Sequence, residues 1–319
     1  MYENMFSKSK QDFNSIITND VTMKELINKA KKVSLGNSPI LIYGETGVGK
    51  EIFVQAIHNN SLRKDKKILA LNCAAIPTNL MEAMLFGIEK GSFTGALNRV
   101  GLLESVSEGT LYLDELNSMP IELQGKLLRV IEENTIKRVG NTNTIDMNIR
   151  FICSFNEDPE GCISRGTIRK DLYYRLNVIR LNIPPLRERK EDIYILIDYF
   201  IKKYNNKFKG NIKGVTKEVM HQFLKYDWPG NVRELENSLE ALFNYKSQGF
   251  FELEDLKNID SCILCMKRKS LKERVEEVEK EYIKEALIIG GFNITKAAEI
   301  LDMPRQTLQY KIKKYKLDE

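Results

Sequence analysis

The run Gly44-Glu45-Thr46-Gly47-Val48-Gly49-Lys50-Glu51 stands directly after the β-rich PILIY at 39–43 and directly before an apolar helical stretch. Glycines let successive backbone N–H groups turn toward one anion, the helix that follows adds the positive end of its dipole, and a lysine at this spacing reaches terminal phosphates. Strand, phosphate cradle and helix in that order commit the chain to an α/β fold. The Ser or Thr that usually follows the lysine and ligates Mg²⁺ is Glu51 here.

Further short β-rich runs, KILALN at 67–72, TLYLD at 110–114, IRFICSF at 149–155 and NVIRLNI at 177–183, alternate with helical-length segments. Runs this apolar suit a parallel sheet covered on both faces. The second half of a nucleotide site is an acid at the carboxyl end of a neighbouring buried strand, and Asp114-Glu115 ends TLYLD. Asp114 is expected to hold the Mg²⁺-bound water and Glu115 to polarise the attacking water, because phosphoryl transfer depends on positioning and charge neutralisation. Asn72 and Asn156 end two other strands and place their amides at the same edge. After Pro184-Pro185 the period becomes 3.6, with stripes at Ile193, Leu196, Ile197, Phe200 and Ile201, then Val219, Met220, Phe223 and Leu224, then Leu235, Leu239 and Leu242. A helical subdomain follows from that change.

A chain of 319 residues has room for two or three such units at about 150 residues per domain. Hydrophobic residues make up 42% and charged residues 29%, and no apolar run approaches the roughly 20 residues a membrane helix needs. The first residues, MYENMFSKSKQDF, are too polar for a secretory signal. Cys73, Cys153, Cys162, Cys262 and Cys265 are odd in number and scattered, which fits a reducing cytoplasm. Cys262 and Cys265 have zinc-ligand spacing but no second pair, so they read as ordinary linker thiols. The net charge of +5 implies no polyanionic partner by itself, yet 303–316 carries Arg305, Lys311, Lys313, Lys314 and Lys316 without an acid.

GETGVGKE, LNCAAIP, LFGIEKGSFTGA, SEGTLYLDEL, IRKDLYYRLNV, PPLRERKEDI and YDWPGNVREL occur in one order and spacing. Over about 16–317 the sequence resembles the AAA+ ATPase activators of sigma-54 RNA polymerase, the bacterial enhancer-binding proteins, in which Glu51 after the lysine is usual. The resemblance implies that Gly44 to Lys50 bind ATP, that Asp114 and Glu115 are the Walker B acids, and that Asn72 restrains the catalytic glutamate. It implies that Arg169 and Arg175 serve the neighbouring subunit's γ-phosphate in a hexamer and that Arg233 is the sensor arginine of the lid. Asn156 takes the first-sensor place, although Ser154-Phe155-Asn156 departs from the common Ala-Thr-Asn form. Gly91, Ser92, Phe93, Thr94, Gly95 and Ala96 resemble the family's sigma-contacting loop, with serine at its usual alanine position.

At the C-terminal end a helical stripe from 275 to 289 precedes Gly290-Gly291-Phe292-Asn293, then a short helix at 294–301, and Pro304 opens another. On that last helix Leu308 and Ile312 are expected to face the hairpin. Arg305, Gln306, Gln309 and Lys313 are expected outward, with Lys311 adding charge, as donors for base edges and phosphates. This end resembles a Fis-type helix-turn-helix, with Asp302 at the turn where glycine is usual. The expected division is a short segment 1–15, an α/β ATPase subdomain 16–190, a helical lid 191–257, a linker 258–274 and a DNA-binding domain 275–319. About twenty residues before the ATPase region are too few for a sensing domain, so either a separate regulatory protein controls the chain or the sequence is a truncated form. Two rival readings are another AAA+ remodeller such as an unfoldase, opposed by GSFTGA and the DNA reader, and a repressor with a vestigial nucleotide site, opposed by intact Lys50, Asp114, Glu115, Arg169 and Arg175. The expectation is a cytoplasmic ATPase, using ATP and Mg²⁺, that binds upstream DNA and remodels sigma-54 polymerase closed complexes.

Overall fold

The computed structural model describes residues 11–89, 98–257, 271–291 and 293–315. The chain divides into two compact units, Met1–Ile259 and Asp260–Glu319. In the first, strands β1 (Ile40–Tyr43), β2 (Ile68–Asn72), β3 (Thr110–Asp114), β4 (Arg150–Phe155) and β5 (Ile179–Asn182) form one parallel sheet in the order β2-β3-β4-β1-β5. The five apolar runs expected as strands are these five.

Alternation along each strand divides the core. Leu41, Leu111, Leu113, Cys153 and Phe155 face one side, where they pack with Leu123 and Leu127 of α3 (Ile121–Glu133) and Leu172 and Leu176 of α4 (Lys170–Leu176). Ile40, Ile42, Tyr112 and Ile152 face the other, against Met23 and Ile27 of α1 (Val21–Ser34) and Phe53 and Ile57 of α2 (Lys50–Asn59). Burial on both faces explains the near-continuous apolar runs of the central strands β1, β3 and β4, whereas the edge strands alternate, β5 with Arg180 and Asn182 less buried than Leu181 and β2 with every other position half-buried. The register pairs Asn72 with Asp114 and Tyr43 with Phe155, which brings the carboxyl ends of four strands to one edge.

The lid consists of α5 (Glu191–Phe208), α6 (Lys217–Lys225), α7 (Asn231–Tyr245) and a parallel pair of short strands, Asn211–Val215 and Gln248–Phe251. Its three stripes are the core: Ile193, Leu196, Ile197, Phe200, Ile201, Val219, Phe223, Leu235, Leu239 and Leu242 are buried, with Met220 and Leu224 half-buried. Trp228 fills the turn between α6 and α7, edge-on to Phe223 and Tyr226, its indole N–H donating to the Phe223 carbonyl at 2.8 Å. The second unit packs α8 (Leu271–Ile289), α9 (Ile294–Ile300) and α10 (Arg305–Tyr315) around Ile283, Leu287, Ala297, Ala298, Leu308 and Ile312. Asp302, between α9 and α10, has φ +47°, the left-handed turn that glycine would accept freely and that Asp tolerates better than most residues. The segment expected as a linker, with Cys262 and Cys265, lies outside the described residues over 258–270. No described helix is long and apolar enough to cross a membrane.

His58, inside α2, is buried with Nδ1 2.9 Å from Thr110 Oγ1. Burial pushes its imidazole below the ordinary 6.5, a hydrogen bond with the Lys66 backbone works against that, and nearby Arg150 adds to it. As pH falls through 6.5, the unfolded chain takes up this proton before the folded one, so folding loses free energy in that direction. The thermal midpoint should therefore drop between about pH 7.5 and about pH 5.5, and His58→Asn should flatten that slope in a calorimetric pH series.

Candidate functional site

The phosphate loop leaves β1 at Gly44, whose N–H donates to the Phe155 carbonyl at 3.3 Å, and ends at Gly49, the left-handed N-cap of α2 with φ +104°. Gly47 has φ +83°, and a Cβ there would lie 2.1 Å from the Gly230 carbonyl oxygen of the lid. Val48 is buried beneath the loop. Glu51 falls in the first turn of α2, where an acid suits the helix dipole.

Thr46, Gly47, Gly49, Lys50 and Glu51 line one cleft together with Asp114, Glu115 and Arg233. Lys50 is nearly buried, and its ammonium donates to the carbonyls of Gly44 at 2.6 Å and Glu45 at 3.1 Å. Burial lowers its pKa, Asp114 and Glu115 work in the opposite direction, and Arg233 adds to the lowering. An ammonium has three donors, and an anion in the cleft would restore the charge that burial penalises. That is the fit a polyphosphate needs. Asp114 is held from both sides: Oδ1 accepts from Tyr112 Oη at 2.6 Å and Ser154 Oγ at 2.5 Å, and Oδ2 accepts from Asn72 Nδ2 at 3.1 Å. An acid so oriented suits a hydrated Mg²⁺.

A second cavity, lined by Ile16, Ile17, Phe53, Leu196, Tyr199 and Phe200 among others, shares Gly49, Ile52, Val232 and Glu236 with the phosphate cleft. The two therefore adjoin, one walled largely by apolar side chains and the other holding Lys50 and Arg233 opposite Asp114 and Glu115.

The lid is fastened to this loop by side chains that sequence reasoning did not single out. Arg187 grips the Glu45 carboxylate with two bonds, at 2.8 and 2.5 Å, and this pairing holds Glu45 below the usual carboxylate range. Asn231, fully buried at φ +54°, donates Nδ2 to Glu45 Oε2 at 3.1 Å and to the Thr46 carbonyl at 3.0 Å, while its Oδ1 accepts from the Leu186 N–H at 2.8 Å. Buried Arg189 donates to the Val48 carbonyl at 3.0 Å and lies 3.6 Å from buried Asp192. Asp192 in turn accepts from Thr18 Oγ1 and from the N–H groups of Asn19 and Asp20 at 2.7, 2.6 and 3.1 Å. The signal was present in PPLRERKEDI and GNVREL, but only as strings.

The other expected residues divide. Asn72, expected to restrain Glu115, instead donates Nδ2 to Asp114 at 3.1 Å, and its Oδ1 accepts from the N–H groups of Ala74 and Ala75, so it holds that acid and caps a turn. Asn156 carries a buried Oδ1 without a partner among the described residues. Arg169 and Arg175 are not in this chain's own cleft. Arg169 is exposed and paired with Asp171 at 2.7 Å, and Arg175 lines a separate cavity beside Asn37, Pro39 and Val178. Residues Gly91 to Ala96, the expected sigma-contacting loop, lie outside the described residues; the chain enters that stretch from Gly87–Ile88 and returns at Arg99–Val100, which pair antiparallel.

In the second unit Leu308 and Ile312 are buried as expected, and Arg305, Gln306 and Gln309 are exposed. Lys311 turns back to Glu279 at 2.7 Å, whose other oxygen accepts from Tyr315 Oη at 2.7 Å. The Lys313 side chain lies outside the described residues.

Asn231→Gly accepts the left-handed backbone and removes the side chain with its amide. It should lower stability by about 1–3 kcal/mol, read by denaturant unfolding, and weaken ATP binding in calorimetry, because two backbone groups and one carboxylate lose a buried partner.

Family models match the sequence in three consecutive blocks: the Sigma-54 interaction domain over 16–182, the AAA+ ATPase lid domain over 187–260, and the Bacterial regulatory protein, Fis family, over 274–315. The transcriptional activator RocR of Bacillus subtilis is 42% identical, with 98% of this chain and 71% of RocR aligned. A signal-transduction and transcriptional-control protein of Clostridium beijerinckii is 43% identical over 97% of this chain and 50% of its own length. Among solved structures, NtrX from Brucella abortus in complex with ATP superposes with TM-score 0.71 at 33% identity, covering 96% of this chain and 70% of NtrX. The chain thus spans half to about seven-tenths of the length of these relatives. With ATPase core, lid and C-terminal hairpin all matched in order, the chain belongs to the sigma-54-dependent transcriptional activators, AAA+ ATPases that carry a Fis-type helix-turn-helix.

Proposed function

We propose that this protein binds DNA upstream of a promoter and couples ATP hydrolysis to remodelling of the sigma-54 RNA polymerase closed complex into an open one. The observation that carries the ATPase half is the single cleft in which Lys50, Asp114, Glu115 and Arg233 meet, continuous with an apolar cavity of the right character for a base. Division of labour follows the expected boundaries: ATPase subdomain 16–190, lid 191–257, linker 258–274 and DNA reader 275–319, preceded by 1–15.

In this reading the apolar cavity holds the base and the phosphate loop wraps the phosphates, with Lys50 and Arg233 countering their charge. Glu115 orients and polarises the attacking water, and Asn156 offers its unpartnered carbonyl oxygen to the same edge. Mg²⁺, when bound, would be held through Asp114 and would neutralise charge developing on the transferred phosphoryl group. Arg169 and Arg175, placed away from their own cleft, serve the neighbouring subunit's cleft in a cytoplasmic hexamer. Gly91 to Ala96 grip sigma-54, with Phe93 and Thr94 at the contact. Arg305, Gln306 and Gln309 read base edges, while Lys313, and Lys311 once released from Glu279, meet phosphates.

Promoter melting tests the whole reading, scored by permanganate reactivity of unpaired thymines on a sigma-54 promoter. Parental protein with ATP should open it. Glu115→Gln should still bind ATP yet lose at least about 10²-fold in turnover and open nothing. Thr94→Ala should hydrolyse ATP normally and open nothing, and parental-rate opening by that variant would remove the sigma-54 assignment.

If the arginines act across subunits, specific ATPase activity should rise with protein concentration as rings assemble. Mixing Arg169→Ala with Lys50→Ala subunits should recover activity that neither has alone, since one supplies an intact cleft and the other an intact arginine. No recovery in verified mixed rings would overturn the assignment of Arg169 to the neighbouring subunit's cleft.

A further inference from the structure

Ser154 is fully buried at the penultimate position of β4, a strand enclosed by β3 and β1. Its hydroxyl touches both Walker B acids. Oγ donates to Asp114 Oδ1 at 2.5 Å and accepts from the Glu115 N–H at 3.1 Å. One hydroxyl carries one proton and two acceptor sites, so these two bonds are compatible and each fixes the direction of the other.

Glu115 needs such a hold. Its φ of +52° lies in the left-handed region, which disfavours a residue with a Cβ. A non-glycine residue keeps that conformation only where its surroundings impose it. On the following side, the Glu115 carbonyl accepts from the Ser118 N–H at 2.9 Å inside a short 3₁₀ turn, Leu116–Ser118. On the preceding side, the amide is held by Ser154. The left-handed turn is what sends the chain away from the sheet while leaving the Glu115 side chain in the cleft with Lys50. The hold comes from a central strand whose register, Leu113 opposite Cys153, fixes where Ser154 stands.

We propose that Ser154 is a positioning residue for ATP hydrolysis, locking Glu115 in its left-handed turn and fixing Asp114 at the same time, so that both acids face the phosphates in one arrangement. This rests on the reading of Glu115 as the group that polarises water.

The test uses the full chain at a concentration where specific ATPase activity has reached its plateau, with saturating Mg²⁺. Four proteins are compared: parental, Ser154→Ala, Glu115→Gln and the double variant. Ser154→Ala removes one atom, and its thermal midpoint and its equilibrium affinity for a non-hydrolysable ATP analogue are recorded on the same preparation. Ser154→Ala should lower kcat about tenfold, the worth of one oriented hydrogen bond, with KM and analogue affinity unchanged within about twofold. In the Glu115→Gln background the same substitution should cost clearly less than in the parental one, since the water-polarising carboxylate it positions is already gone and only its hold on Asp114 remains to be lost. Parental kcat in Ser154→Ala, a loss that appears in KM and analogue affinity instead of kcat, or an equal further loss in the double variant would each overturn the proposal. Parental turnover by Glu115→Gln alone would overturn the underlying assignment of Glu115, and is distinguished from the other outcomes by needing no change at Ser154.

Discussion

The lid meets the phosphate loop backbone to backbone at Gly47 and Gly230, where a side chain on Gly47 would fall 2.1 Å from a carbonyl oxygen. Most of the active cleft depends on that contact. It allows buried Asn231 to reach Glu45 and the Thr46 carbonyl, and it sets Arg233, two residues on in the same helical turn, against the cleft that holds Lys50. The Arg233 N–H itself donates to the Gly47 carbonyl at 3.3 Å. A lid joined in this way cannot shift without changing the environment of the loop that holds phosphate. Removing the buried amide therefore disturbs folding and nucleotide affinity together.

Much of this arrangement is legible in the sequence because its physical causes are local. A strand enclosed on both faces must be apolar throughout, so the central strands of the sheet appear as runs, and a phosphate cradle must have its glycines and lysine at fixed spacing. The lid stripes are legible for the same reason, since one face of each helix is core. Arg187, Arg189, Asp192 and Asn231 are a different case: each acts through a partner far away in the chain, such as Glu45, Val48 or the 18–20 segment. Neither periodicity nor composition registers such a pairing. Ile16 and Ile17 likewise wall the base cavity only because the segment before α1 is drawn against the lid. Lys311 shows the converse: charge counting groups it with the DNA-facing cations, but the fold gives it Glu279 one helix away.

The Walker B edge combines order with strain. Three donors converge on Asp114, and the next residue is held in a conformation that its Cβ disfavours. Such a site is stiff around the acid that would carry charge and tense at the acid that would direct water. Both conditions come from neighbouring strands of one sheet, so the two acids are supported from its buried centre.

Asp192 has a mechanical consequence. It stands at the start of the lid's first helix and holds the backbone of residues 19 and 20, while Arg189 beside it holds the loop at Val48. The segment by which the chain enters the fold, the wall of the base cavity and the phosphate loop are thus tied at one buried knot. Two buried side chains, Asp192 and Arg189, therefore link the backbone of residues 19 and 20 to the phosphate loop at Val48, so the packing of one bears on the placement of the other.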